Sequence, residues 1–217
     1  MKPTEKEILA FIDSKYKPAI ILLGGSREQG REHENSDWDL YLIGDFATVA
    51  RLPQAFHGAD LDIAVYPWQS LTDDVLSIYF GPLSKLRVLK DTPNADGARV
   101  AQATQAAYEK GPAPLTEAER TRLAFRLSRL LTKAQRYSNN PVAATYILAE
   151  FYRELISAWF HNQNRWCLPI AEALSAIGNQ DPKFAALLVK WVNSQDVSEQ
   201  CEVGHHLVHH LFALTNS

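Results

Sequence analysis

Apolar positions along the first half of the chain fall into short runs set off by polar stretches. Ile8, Leu9, Phe11 and Ile12 recur at helical spacing behind Thr4, and Glu7 three residues on completes a capping box, so a helix is predicted from Thr4 to about Lys15. Pro18 to Gly24 is short, apolar and partly β-branched, and reads as a buried strand. Asp37–Gly44, Ala59–Pro67 and Leu86–Asp91 read as three more strands. Helices are expected over about 45–56 (the weakest pattern), 68–80 and 98–110, with Trp68, Leu71, Val75, Leu76, Ile78 and Tyr79 as core positions of the second.

Gly111-Pro112-Ala113-Pro114 interrupts this pattern, and no strand signal follows it. Thr116 with Glu119 forms a second capping box, and prolines at 141 and 182 occupy first helical positions. Helices are predicted over about 116–138, 141–163, 169–178, 182–193 and 196–214, with Tyr152, Trp159, Phe160, Trp166 and Trp191 in their core. The fold class is therefore α+β. An N-terminal domain over 1–110 carries a mixed, twisted sheet flanked by helices; 111–115 is a linker; 116–217 is an all-α helical bundle.

The second strand carries the first chemistry. Side chains alternate along a strand, so Asp37 and Asp39 share a face, where two carboxylates repel and lose solvation. A cation should offset that charge, and hard oxygen ligands favour Mg²⁺. Upstream, Gly24 and Gly25 allow backbone N–H groups to approach a phosphate, and Ser26 offers a hydroxyl donor. A phosphate cradle beside paired acids implies a metal–nucleotide site and phosphoryl or nucleotidyl transfer. Asp60 and Asp62 share a face of the third strand.

Gly25-Ser26, then Ser36-Asp37-Trp38-Asp39-Leu40, with ten residues separating Ser26 from Asp37, resembles the signature of the polymerase-beta-like nucleotidyltransferase superfamily. Within it the chain is similar to the small bacterial enzymes that adenylylate antibiotics, the kanamycin and lincosamide nucleotidyltransferases. The resemblance implies two Mg²⁺ ions held by Asp37, Asp39 and a third carboxylate, and ATP as co-substrate. Asp62 is the choice for that carboxylate, since Ile63-Ala64-Val65-Tyr66 follows directly, with Asp60 the runner-up. Gly24, Gly25, Ser26 and Ser36 would bind the nucleotide. The helical domain would form the acceptor side of the cleft and supply Glu150 as general base, and a homodimer is an expectation. Many relatives have Arg-Gly where this chain has Gln29-Gly30, so that phosphate contact is either missing or supplied by Arg27 or Arg31.

Arg122, Arg126, Arg129, Lys133 and Arg136 lie in steps of three and four, forming one stripe of the first bundle helix. The stripe is either a solvated face or a phosphate-binding one, with Arg129 and Lys133 the choices for nucleotide contact. Glu150 and Glu154 share a face of the next helix, where a simple surface pair is the alternative to Glu150 as base, and Glu154 can pair with its neighbour Arg153 or lie at the surface. His205, His206, His209 and His210 contain two i, i+4 pairs, but no HExxH pattern, and read as part of a terminal helix. Cys167 and Cys201 have no redox or zinc spacing and read as free thiols.

A net charge of −3 recruits no polyanion globally. No basic channel with aromatic interleaving is evident beyond the single stripe of the first bundle helix, so no nucleic-acid partner is expected. A polar start and no long apolar run imply a cytoplasmic protein without a membrane partner. The expected activity is transfer of AMP from ATP to a hydroxyl of a small-molecule acceptor, an antibiotic being one candidate. Protein adenylylation and non-catalytic nucleotide binding are the alternatives.

Overall fold

The computed structural model describes residues 2–70, 85–93 and 96–213. The chain divides into two compact units, Met1–Gly111 and Pro112–Ser217.

The first unit runs α1 (Glu5–Tyr16), β1 (Ile20–Leu23), α2 (Gly25–Glu28), β2 (Trp38–Gly44), β3 (Ala50–Arg51), β4 (Gln54–Phe56), β5 (Ala59–Pro67), a 3₁₀ turn (Trp68–Ser70), β6 (Arg87–Lys90) and α3 (Gly97–Lys110). Thr4 and Glu7 form the expected capping box, and Lys17 ends α1 in the left-handed region. The strands make one mixed sheet in the order β3-β5-β2-β1-β6, with β4 also on β5. β2 and β5 are parallel; the other pairs are antiparallel. Alternation along the central strands divides the core into two faces. Ile21, Leu23, Leu40, Leu42 and Ile63 pack with Ile8 and Ile12 of α1. Ile20, Leu22, Tyr41, Ile43 and Ala64 pack on the other face with Val100 of α3. Each fully buried isoleucine of α1 contributes about 1.5–3 kcal/mol.

The helix expected over 45–56 is not formed; β3 and β4 lie there, both antiparallel to β5. The cause is local. His57 (φ 47°) and Gly58 (φ 77°) are the two central residues of a tight turn closing on the Phe56–Ala59 pair, so the residues before it must be extended. Pro53 also lacks the amide a helix interior needs. Of the segment expected as helix 68–80, the described residues form only the 3₁₀ turn; the rest, with the core positions proposed on it, lies outside the described residues.

The second unit contains, among the described residues, helices α4 (Glu117–Arg136), α5 (Pro141–His161), α6 (Ile170–Gln180), α7 (Pro182–Asn193) and α8 (Val197–Ala213). Thr116 and Glu119 cap α4, Asn140 caps α5 and Asp181 caps α7. Leu127, Leu131, Phe151, Trp159, Phe160, Phe184 and Leu207 are buried in its core, and Trp191 is 7% exposed. Tyr152 packs partly buried against that core and Trp166 is half-buried. His210 bonds to Asp181 at 3.0 Å, while His205, His206 and His209 are exposed. Among the described residues no helix is long and apolar enough to cross a membrane.

Candidate active site

Asp39 and Asp62 are register partners on the adjacent parallel strands β2 and β5. Period-two alternation puts them on the face that also carries Tyr41, Ala64 and Tyr66. Both are half-buried, whereas Asp37, just before β2, and Asp60 are exposed. Asp37, Asp60 and Asp62 line one open depression of ≈ 480 Å³ together with Pro53, Gln54 and Ala55. Its rim is thus built by the segment expected as a helix.

The glycine loop reaches Asp39 through its backbone. The Gly24 amide donates to the Asp39 carbonyl at 3.0 Å, continuing the β1–β2 ladder. Gly25 then turns with φ 67°, and a Cβ built there would lie 1.7 Å from Asp39 Oδ2. Only glycine fits, on both counts. Ser26 follows in the first turn of α2.

Two side-chain anchors fix this loop, one ionic and one to backbone carbonyls. The nearly buried Glu28 carboxylate takes Arg87 at 2.7 Å and Lys85 at 3.2 Å, and Arg87 also bonds Glu5 of α1 at 2.8 Å. Those two carboxylates raise the Arg87 pKa above its ordinary value. Arg27 donates to the carbonyls of Asp37 (2.8 Å) and Ser36, and its guanidinium lies over the Trp38 ring at 4.5 Å. Arg27, considered for a phosphate contact, is therefore a latch between α2 and the start of β2. The Ser36 hydroxyl accepts from the His33 amide at 2.8 Å and closes the turn before Asp37.

Charge is concentrated at this end of the sheet. Burial raises the Asp39 pKa, and the nearby Asp37 and Asp62 raise it further; Arg51 and Arg27 oppose the shift. Burial and then Asp39 push the Tyr41 phenol up as well. Asp62 is turned into an ion pair with Arg51 of β3. The donors suit a hard divalent cation in kind, and the upward shift of Asp39 reflects a charge that such an ion would offset. In the arrangement found, however, no three His, Cys, Asp or Glu side chains among the described residues gather closely enough to hold a metal ion.

Sequence reasoning missed Arg51, because its role depends on a cross-strand contact. The readable signal was the His57-Gly58 turn, which implies strands on both sides. Between the two candidates for the third carboxylate, the geometry separates Asp62, aligned with Asp39, from Asp60, opposite Ala55 on β4.

The remaining expected site residues belong to the helical unit. Glu150, Arg129 and Lys133 line one groove there, of ≈ 800 Å³ between α4 and α5. Glu154 pairs with Arg126 across the two helices rather than with its neighbour Arg153.

No family model and no curated protein matches the chain. Among solved structures it is similar to a nucleotidyltransferase-like protein from Exiguobacterium sibiricum 255-15. The two share 12% sequence identity, the match covers 97% of this chain and 75% of that one, and the TM-score is 0.50. At that identity the likeness speaks to fold alone, without extending to the antibiotic enzymes: the chain has a nucleotidyltransferase-like α+β fold.

Proposed function

We propose that the N-terminal unit is the catalytic half of a nucleotidyltransferase that moves a nucleoside monophosphate, AMP from ATP, to a hydroxyl of a small acceptor. The carrying observation is the alignment of Asp39 with Asp62 on parallel neighbours, with the Gly25 backbone against the Asp39 carboxylate. The likeness of fold supports the general class.

Asp37, Asp39 and Asp62 would hold Mg²⁺, which when bound supplies positive charge against the triphosphate and lowers the pKa of an acceptor hydroxyl. The chain's own groups bind and orient. Gly24 and Gly25 leave the backbone accessible to phosphate oxygens, and the Ser26 hydroxyl donates to one. In the reaction an acceptor oxygen bonds to the α-phosphorus while the bond from that phosphorus to the α–β bridging oxygen breaks. Pyrophosphate carries that oxygen away, and the hydroxyl proton passes to solvent.

Pyrophosphate release from Mg·ATP, against a panel of aminoglycosides, lincosamides and cell extract, tests the reading. Release is expected to depend on an acceptor and to fall at least about a hundredfold in Asp39→Ala. One observation favours a second reading, a nucleotide-binding regulator of the same fold: Arg51 already neutralises Asp62. ATP binding without release under any condition would select it.

A further inference from the structure

We infer that the groove of the helical unit binds single-stranded nucleic acid. The five cations of the α4 stripe, Arg122 to Arg136, all line it. From first to last they span 14 residues, about 21 Å of helix at ~1.5 Å per residue. That is longer than one triphosphate needs and suits an extended polyanion.

The groove also carries the feature that a plain solvated face lacks. Phe125 and Tyr137 stand in it, 63% and 45% exposed, among the cations rather than in the bundle core. On α5, Tyr146 is 74% exposed one turn before Glu150, which lines the groove; Tyr146 itself lies outside that lining. Exposed rings between guanidinium groups are the composition that stacks unpaired bases while the cations follow the phosphates. Paired bases offer no such faces, so the groove should select single strands.

The carboxylates cancel only part of this charge. Glu154 is matched to Arg126, and Arg129, Lys133 and Arg136 make no ion pair among the described residues. The Glu150 carboxylate can accept from the exocyclic amine of a base. The sequence expectation of no nucleic-acid partner looked for a basic channel beyond this single stripe; the exposed rings in the stripe's own groove are what argue for one.

The test is fluorescence anisotropy of the full-length protein with a labelled oligo-dT or oligo-U of about twelve nucleotides. Binding should weaken with salt at a log–log slope of about −2 to −3.5, as for three to five neutralised phosphates. The double reversal Arg129→Glu/Lys133→Glu should weaken it more than about tenfold, and Phe125→Ala by about tenfold through lost stacking. These residues are exposed, so circular dichroism should show the fold retained. Equal affinity for a duplex, unchanged affinity in the double reversal, no strand binding at low salt, or displacement by free ATP at matched phosphate concentration would each overturn the inference. Binding is read without turnover, so its failure leaves the transferase reading standing.

Discussion

The two units concentrate opposite charge by different means. In the N-terminal unit, strand register places Asp39 beside Asp62, and a glycine backbone lies against the carboxylate. In the helical unit, the cations are placed by the period of one helix and reach outward on long, exposed side chains. A site held by backbone tolerates little displacement, which suits positioning of reacting atoms. A stripe of flexible cations shares its work among several residues, so each single loss is partial. The first arrangement should break at one atom; the second should erode.

Gly25→Ala is the sharpest way to break the first arrangement. The substitution meets both a positive φ and the Asp39 carboxylate, whereas Gly30 (φ 66°) has nothing within 4 Å of an added Cβ. Gly30→Ala should cost about 1 kcal/mol in chemical denaturation from backbone strain alone. Gly25→Ala should cost about 2–3 kcal/mol and reduce transfer at least about a hundredfold. Equal effects of the two would mean that contact with Asp39 is unimportant.

In the helical unit, the comparable fixed point is Asp181 rather than the stripe. Its carboxylate accepts from the Phe184 amide at 3.0 Å and the Trp159 indole at 3.4 Å, and pairs with His210. Asp181→Ala should lower stability by about 2 kcal/mol, measured by urea unfolding. Burial raises the Asp181 pKa, but those partners together lower it below its ordinary value. The stability it supplies is therefore present above the unfolded carboxylate pKa of about 3.9 and is lost as pH falls through the lower folded value.

Asp39 has the opposite sign. Its folded pKa is raised, so its favourable share is present below the unfolded pKa and lost as pH rises through the folded value. Without divalent cation, Asp39→Asn should exceed the wild type in thermal stability at neutral pH, and the gap should close in acid. A pH-independent gap would break the contrast with Asp181. The smallest effect belongs to Arg51→Ala. The Arg51 side chain is 67% exposed, so its loss should change stability by only about 0–1 kcal/mol. Freed from that pair, Asp62 should raise Mn²⁺ affinity a few-fold by calorimetry.

The difference between the units also governs what the sequence disclosed. Capping boxes at Thr4 and Thr116, and prolines at the starts of α5 and α7, are local signals, and those helices were legible within a few residues. Alternation likewise put Asp37 with Asp39. The alignment of Asp39 with Asp62 was not legible in any local pattern, because parallel pairing joins segments distant in the chain; only the family resemblance put Asp62 with the first pair. Residues 45–56 were misread because Phe46, Val49 and Ala50 mimic a helical period, while the decisive turn at His57-Gly58 lies just beyond them. The basic stripe was plain, and the helical period also puts Phe125 about 200° from Leu123 and Leu127, beside the cations, so its exposure was legible there and went unread.

The most direct test of the central claim follows the label on ATP. With α-labelled and γ-labelled ATP in parallel, the account predicts that the α label moves to the acceptor and the γ label leaves as pyrophosphate. Both should be lost in Asp39→Ala and in Asp62→Ala. Transfer of the γ label to the acceptor, or α-label transfer that survives both substitutions, would contradict the account.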